Sequence, residues 1–349
     1  MSESSLESLA GSRLMVGFEE SEFTPGLARF LRQVRPAGII LFRRNVEGGP
    51  AQTARLVQAC QNLALSEFDR PMLVAIDQEG GTVQRLPPPF TQLPSQRLMA
   101  ETMGPEEVRA LAGQSGRELS AVGLNLNLAP VLDIVTDPQA SFMADRSFGA
   151  DPEKAAELGL AVIAGHAEYD VLTCAKHFPG SGDTRIDPHQ DLPVVEHSAD
   201  RMRQMELIPF KRAIESGLAA VMSTHIRYPG LDPDQPATFS RKILTGLLRE
   251  ELGFSGLILT DDLEMGAVVK HYGLGEAAVL AVAAGCDLLL VCRRSDYVFE
   301  AREALLSAVR KGEVGQTVLA GTSLKLEALW PHLPRPSAEA FRKTFGHGW

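Results

Sequence analysis

Two segments of this 349-residue chain combine side chains that could move protons or hold a polar ligand. In KHFPGSGDTRIDPHQDLP (176–193), Lys176 and His177 end an apolar run, and Asp187 and His189 follow on a loop rich in glycine and proline. A carboxylate beside a histidine fixes the imidazole tautomer and stabilises the imidazolium. An Asp-x-His pair could therefore serve as a general acid and base.

Further polar side chains stand at the ends of other apolar runs, namely Asp77, His225, Asp261 and Asp262, or in the loop after the fourth run, namely Asp145 and Arg146. Carboxylate and cationic groups form forked hydrogen bonds with vicinal hydroxyl groups, so their convergence would suit a neutral polyhydroxylated substrate. Hydrolysis of a glycosidic bond needs a nucleophile or base and a proton donor. Asp261 is the candidate nucleophile. The Asp187–His189 pair, on a loop able to close over a substrate, is the candidate donor.

Taken singly, these residues also have structural explanations. An aspartate at a strand end often caps the next helix, which is the competing interpretation of Asp77 and Asp262. A lone histidine such as His225 is more often a packed, hydrogen-bonded side chain than a catalyst. Lys176 could lie on the surface, although at the mouth of a buried strand its charge needs a partner or water. Five such positions after five different runs favour a shared function.

Eight short apolar runs must position these side chains, and most are continuously apolar, which is typical of parallel strands buried on both faces. They are RLMVGF (13–18), AGIILF (37–42), MLVAID (72–77), LNLNLAP (124–130), VLTCAKHF (171–178), AAVMSTH (219–225), GLILTDD (256–262) and CDLLLV (286–291). Helical periodicity is found between and after them, at 51–65, 105–122, 151–169, 199–217, 240–252, 295–312 and 314–330.

This alternation predicts a single α/β domain, a (β/α)8 barrel over residues 12–332, with an N-terminal tail at 1–11 and a C-terminal tail at 333–349. In such barrels the chemistry lies at the carboxyl ends of the strands, so the polar side chains above should share one rim. A doubly wound open sheet is the structural alternative. It needs a glycine-rich turn after the first strand, and GFEESEF (17–23) stands there instead.

Composition narrows the function classes. The formal net charge of −10 argues against nucleic acid or an anionic membrane as the main partner, because both need a basic surface. MSESSLESLAGS (1–12) lacks the features of a signal peptide, and no apolar run approaches the roughly 20 residues of a membrane helix. Cys60, Cys174, Cys286 and Cys292 are expected to be buried thiols, which fits a cytoplasmic protein. The sequence leaves the oligomeric state open, with a monomer favoured.

Six sequence blocks identify a resemblance to a known family: AIDQEGGTVQRL (75–86), GLNLNLAPVLDI (123–134), DRSFG (145–149), KHFPGSGDTRIDPH (176–189), HIRYPGLDPDQPATFS (225–240) and GFSGLILTDDLEMGAV (253–268). In their order and spacing the chain resembles the family 3 glycoside hydrolases. Within that family it resembles the single-domain bacterial β-N-acetylhexosaminidases of cell-wall recycling. The resemblance runs from about residue 13 to residue 330.

The resemblance implies a retaining mechanism in which Asp261 forms a covalent glycosyl-enzyme and His189, paired with Asp187, acts first as acid and then as base. It implies that Asp77 binds sugar hydroxyls. It also implies a pocket for N-acetylglucosamine completed by Arg146, Lys176, His177, Met222 and His225. The implied reaction removes non-reducing terminal β-linked N-acetylglucosamine from a small carbohydrate or muropeptide substrate, without a cofactor or a metal.

The chain departs from the usual form of the family blocks at three positions. Thr82 stands where the family commonly has arginine, Ser181 where it has a second histidine, and Pro188 where it has serine. Pro188 fixes its own φ and biases Asp187 toward extended geometry, so we expect a stiffer loop with the dyad retained. These changes concern the fine specificity for the substrate more than the reaction type.

Four alternatives stay open at this point. A histidine acid carries less negative charge than a glutamate, so phosphate could be the acceptor and the enzyme a β-N-acetylglucosaminide phosphorylase. A family 3 β-glycosidase with another sugar specificity is the second alternative. A metal-dependent barrel hydrolase usually needs an H-x-H pair after the first strand, where GFEE (17–20) stands. A non-catalytic sugar-binding barrel would have lost Asp261 or the Asp187–His189 pair.

Overall fold

Eight strands form a closed barrel in the computed structural model, which describes residues 3–184, 191–346 and 348. Each strand pairs in parallel with its neighbours, and the last strand pairs with the first. The strands are β1 (Leu14–Val16), β2 (Gly38–Leu41), β3 (Leu73–Ile76), β4 (Leu126–Asn127), β5 (Leu172–Phe178), β6 (Ala220–Ser223), β7 (Leu257–Asp262) and β8 (Leu288–Val291). All eight predicted runs are strands, and the predicted (β/α)8 fold is confirmed.

The strands are apolar on both faces because each face meets a different core. In β2, Ile39 and Leu41 belong to the large cluster that includes the surrounding helices, whereas Ile40 belongs to a second cluster inside the barrel. In β8, Leu288 and Leu290 likewise point to the inner cluster. Successive strand residues point to opposite faces, so a strand buried on both sides is mostly apolar until it reaches the rim.

The helices lie around the barrel and in its loops. Their bounds are Glu3–Gly11, Pro25–Val34, Arg43–Val46, Gly49–Glu67, Gln96–Thr102, Pro105–Val122, Pro152–Ala167, Ala199–Gln204, Leu207–Glu215, Gly266–Val269, Leu274–Ala284, Ser295–Arg310, Gln316–Leu329 and Ala338–Phe345, with 3-10 turns at Ala237–Phe239 and Trp330–His332. The segment Lys242–Glu251 is wound as a π-helix. Two-stranded hairpins follow β3 (Gln78–Gly80 with Val83–Gln84) and β6 (Arg227–Tyr228 with Asp232–Pro236).

One predicted helix, at 199–217, is two helices in the structure, Ala199–Gln204 and Leu207–Glu215. Pro209 explains the break, because it has no N–H to donate to the carbonyl of Met205 and its ring would clash with that carbonyl. Met205 accordingly leaves helical geometry, with φ −133° and ψ −74°.

The segments predicted as tails contain helices with buried side chains. Leu6 and Ala10, in Glu3–Gly11, and Phe341, in Ala338–Phe345, belong to the large outer cluster. Assigning these segments to tails rather than to the barrel domain stays a prediction. In the part of the chain that the structure describes, every helix is too short or too polar to cross a membrane. The four cysteines are buried and free, as predicted.

The two longest strands end at the rim in side chains that the sequence predicted to be functional. The seven residues of β5 end in Lys176, His177 and Phe178, and the six residues of β7 end in Asp261 and Asp262. The pairing register shifts along both strands near these ends. Such irregularities bend a strand and redirect its side chains, so they help to turn these residues toward the mouth of the barrel.

Candidate active site

A cleft of about 890 Å³, part of it open to solvent, lies at the carboxyl ends of the strands. Six of the residues predicted from the sequence line it: Asp77, Arg146, Lys176, His177, Met222 and Asp261. They come from five different strands or the loops after them. Asp187 and His189 lie outside the described residues, so their place relative to the cleft stays a prediction. His225 lies beside the cleft and contacts the end of β7.

Lys176 is at the centre of a buried ionic network. Its side chain is only 2% exposed, and its Nζ lies 2.8 Å from Oδ1 of Asp77 and 2.6 Å from Oε1 of Glu79. Burial lowers the pKa of the ammonium, but the two carboxylates raise it, and the net shift is upward. Burial likewise raises the pKa of Asp77, but Lys176 and Arg85 bring it well below its usual range. The lysine and both carboxylates are therefore charged at neutral pH.

Glu79 is a member of this network that our sequence analysis missed. It accepts two hydrogen bonds from the guanidinium of Arg146, both of 2.8 Å, and its side chain is 1% exposed. Burial raises its pKa, but Lys176 and Arg146 lower it to about 2. The signal in the sequence was its position two residues after Asp77, in the glycine-rich segment that follows β3.

The network leaves donors and acceptors facing the cleft. Asp77, with a side chain 15% exposed, also receives a hydrogen bond of 3.2 Å from Arg85. Arg146 has a side chain 18% exposed and lines the cleft beside Lys176. Carboxylate acceptors and guanidinium donors at fixed spacing can bind adjacent hydroxyl groups of one ligand.

His177 is oriented by Asp133, a second functional residue that sequence analysis did not assign. Oδ2 of the fully buried Asp133 lies 2.7 Å from Nδ1 of His177. Oδ1 accepts the backbone N–H groups of His177 at 3.1 Å and of Ser181 at 2.7 Å. A carboxylate can only accept, so Nδ1 carries the proton and Nε2 is left to accept a hydrogen bond on the cleft side, 3.5 Å from the guanidinium of Arg146.

The end of β7 presents two adjacent carboxylates. Asp261 lines the cleft, and its Oδ1 accepts the backbone N–H of Asp262 at 2.8 Å. Burial raises the pKa of Asp262 to about 7, and the neighbouring charges of Glu264 and Asp261 add to this effect. His225 donates from Nε2 to the backbone carbonyl of Asp262 at 3.1 Å, which ties β6 to this end of β7. Two carboxyl groups with different surroundings can hold different protonation states in one site.

Residues 181–184, which lead into the predicted catalytic loop, are held in place by several contacts. Asp183 accepts hydrogen bonds from the backbone N–H of Thr136 at 2.7 Å and from its Oγ1 at 2.6 Å. His197 lies 3.1 Å from the same carboxylate. A Cβ on Gly182 would stand 1.7 Å from the carbonyl oxygen of Ile134, so no larger residue fits there without a shift of the backbone. These contacts hold residues 181–184 beside the loop after β4.

Replacing Asp133 with asparagine should reverse the tautomer of His177. The amide oxygen can keep both backbone N–H bonds, so the NH2 group then faces Nδ1 and donates to it, which requires the ring proton to sit on Nε2. We expect the ¹⁵N chemical shifts of the two ring nitrogens to exchange their protonated and unprotonated character at neutral pH. His166, whose Nδ1 bonds the Val162 carbonyl, is an internal reference that should not change. A proton retained on Nδ1 in D133N would show that Asp133 does not set the tautomer.

Replacing Asp262 with asparagine should make folding less sensitive to pH. Because the pKa of about 7 in the folded protein exceeds the ordinary value of 3.8, the contribution of Asp262 to stability falls as pH rises from about 4 to 7. Between pH 5 and pH 8 we expect D262N to gain about 1 to 3 kcal/mol relative to wild type in free energy of unfolding by urea. D234N, at a side chain 74% exposed, is the matched control and should show no such gain. Parallel pH profiles for wild type and D262N would contradict the raised pKa.

Residues 14–324 match the N-terminal domain of glycosyl hydrolase family 3. A β-hexosaminidase of Thiobacillus denitrificans is 38% identical over 293 residues, which is 82% of this chain and 80% of that protein. A family 3 β-N-acetylglucosaminidase from Paenibacillus sp. str. FPU-7 superposes with a TM-score of 0.90 at 39% identity, over 94% of this chain and 62% of the Paenibacillus chain. A β-N-acetylhexosaminidase from Beutenbergia cavernae superposes with a TM-score of 0.87 at 31% identity, over 93% of this chain and 98% of its own.

This chain therefore spans less than two thirds of the Paenibacillus protein but most of the other two. The family match covers all eight barrel strands and the whole of the described cleft. On these grounds the chain belongs to glycosyl hydrolase family 3 and is a glycoside hydrolase.

Proposed function

We propose that the protein removes non-reducing terminal β-linked N-acetylglucosamine with retention of configuration. The observation that carries this proposal is the convergence of Asp261 with the Lys176 network in one cleft at the barrel rim. The network supplies fixed donors and acceptors for sugar hydroxyls, and Asp261 supplies a carboxylate for attack. The names of the similar β-hexosaminidases and β-N-acetylglucosaminidases support the same sugar specificity.

In the proposed mechanism, the carboxylate of Asp261 attacks the anomeric carbon as the bond to the aglycone oxygen breaks. His189, held by Asp187, gives its proton to that oxygen. Neutral His189 then takes a proton from water, whose oxygen attacks the same carbon and releases Asp261. Two inversions give net retention, and each residue returns to its starting protonation state. Assigning the proton donor to this pair rests on the sequence resemblance.

The described residues have different roles in binding the sugar. Asp77 accepts from hydroxyl groups, and Arg146 with Lys176 donates to oxygen atoms. His177, with its proton on Nδ1 toward Asp133, offers Nε2 as an acceptor to a hydroxyl or amide N–H of the substrate. Met222, 2% exposed and part of the inner barrel cluster, forms an apolar part of the floor beneath the sugar ring.

We extend the proposal to a cell-wall muropeptide as natural substrate and to the cytoplasm as location, on the sequence resemblance. The four buried thiols, none in a disulfide, are consistent with a reducing compartment. No cofactor or metal has a role in this mechanism, because the nucleophile and the acid are both side chains of the chain.

Replacing Asp261 and replacing His189 should lower kcat in different ways as the leaving group of the substrate changes. We expect D261N to lose at least about 10³-fold in kcat on both an activated aryl N-acetylglucosaminide and chitobiose, while it still binds N-acetylglucosamine. H189A should lose far more on chitobiose than on the aryl glycoside, because an activated aryl oxygen needs little protonation to depart. Steady-state kinetics on both substrates measure the contrast.

D234N and H332A change the same residue types at exposed positions and should retain wild-type kcat on both substrates. Near-wild-type turnover by D261N would remove Asp261 as nucleophile. Equal losses by H189A on both substrates would remove His189 as acid.

The sugar and aglycone specificity can be measured with wild-type protein. We expect kcat/KM to fall in the order N-acetylglucosaminyl-β-1,4-anhydro-muropeptide, chitobiose, aryl β-glucoside, because the cleft is proposed to recognise the N-acetylated sugar. The product should be free N-acetylglucosamine with or without added phosphate, and exhaustive chelation should leave the rate unchanged. A preference for the glucoside, a sugar 1-phosphate product or a loss on chelation would each favour one of the alternatives raised by the sequence.

A further inference from the structure

The proposed proton donor is within residues 185–190, and the segments on both sides of these residues are attached to one hairpin. On the upstream side, the carbonyl of Gly180 accepts a hydrogen bond of 2.8 Å from the buried hydroxyl of Tyr228. On the downstream side, the backbone N–H of Arg227 donates to the carbonyl of Pro193 at 3.0 Å. Arg227 and Tyr228 are adjacent residues of the hairpin after β6. The two segments therefore share a common support.

A hydrogen bond between two side chains also joins the segments directly. Nε2 of His197, in the downstream segment, lies 3.1 Å from Oδ2 of Asp183, in the upstream segment. Burial raises the pKa of Asp183, but the hydrogen bonds from Thr136 and His197 bring it below its ordinary value. The carboxylate is therefore ionised at neutral pH and can only accept, so Nε2 of His197 carries a proton and donates it to the bond. This bond links the chain across residues 185–190.

Charged groups from the helical segment that follows surround this bond. Oε1 of Glu206, whose side chain is 3% exposed, lies 3.9 Å from Nε2 of His197. Nη2 of Arg201 lies 3.0 Å from that oxygen and 3.6 Å from Oδ2 of Asp183. Glu206 also packs against the upstream segment, since a Cβ on Gly180 would stand 2.9 Å from the Cβ of Glu206. The Asp183–His197 bond is thus partly buried and held from several sides.

We propose that His197, through its hydrogen bond to Asp183, is a positioning residue for the proton donor. The inference rests on the proposed function, because the group to be positioned is His189. A misplacement of about 1 Å can cost a catalytic group about 100-fold in rate. Fixing both ends of a short loop restricts the conformations open to the residues between them. His197 needs no contact with the sugar for this role, and it lies outside the lining of the described cleft.

Leucine and glutamine at position 197 separate the hydrogen bond from the packing of the side chain. H197L fills similar space without a donor, whereas the NH2 group of H197Q can replace Nε2 and donate to Asp183. In kcat/KM, which reports the steps up to the glycosyl-enzyme, we expect H197L to lose about 10- to 100-fold on chitobiose. It should lose less than about 3-fold on the activated aryl N-acetylglucosaminide, whose leaving group needs little protonation. H197Q should stay within about 3-fold of wild type on both substrates.

The double variant H189A/H197L separates positioning of the acid from a general weakening of the fold. If His197 acts through His189, H197L should cost less than about 2-fold in kcat/KM on chitobiose once His189 is already absent. H197A, which shortens a side chain that is 25% exposed, should behave as H197L does. H332L makes the same change at an exposed position outside the cleft and should leave both substrates unaffected.

Three results would overturn the inference and leave the proposed reaction intact. They are wild-type kcat/KM on chitobiose in H197L and H197A, equal losses by these variants on both substrates, and losses that multiply in H189A/H197L. A loss in H197Q as large as that in H197L would overturn the role of the hydrogen bond to Asp183. Equal losses by H189A alone on both substrates would instead remove His189 as the acid, and the inference with it.

Discussion

The cleft depends above all on the contact between the ammonium of Lys176 and two carboxylates inside the barrel mouth. A cation that is 2% exposed cannot keep its charge without close partners, and Asp77 and Glu79 lie within 2.8 Å of it. Because Glu79 also holds Arg146 through two hydrogen bonds, the same network orients the arginine before any ligand arrives. In the proposed reaction this preorganisation means that the protein does not have to reorient its charges when the sugar binds.

The barrel brings these charges together by ending its strands at one rim. Asp77 and Glu79 follow β3, Lys176 belongs to β5, and Asp261 belongs to β7, so closure of the sheet sets their spacing. Asp133 fixes two further parts of the site, because its buried carboxylate contacts the ring of His177 and accepts the backbone N–H of Ser181. His177 in the cleft and Ser181 before the proposed catalytic loop are thus bound to one carboxylate, so a displacement of one would move the other.

The two ends of the barrel differ in how their charges are balanced. At the rim, Asp77 and Glu79 meet Lys176, Arg85 and Arg146, and parts of Asp77 and Arg146 still face the cleft. At the base, where the strands begin, a single carboxylate meets three cations, and Arg13 keeps donors without partners in the described chain. The polar atoms that face the cleft at the rim suit a neutral ligand that forms hydrogen bonds.

The sequence alone determined the barrel, because eight doubly buried strands must be continuously apolar, and it marked the rim residues where those runs end. It could not identify Glu79 or Asp133 as members of the site. Glu79 meets Arg146 67 positions along the chain, and Asp133 meets His177 44 positions along, so neither pairing leaves a local pattern. The surroundings of Arg13 were equally invisible, since Cys286 and Asp287 are its neighbours only once β1 pairs with β8. Sequence periodicity records which faces are buried, but only the closed sheet decides which buried charges meet and which remain without a partner.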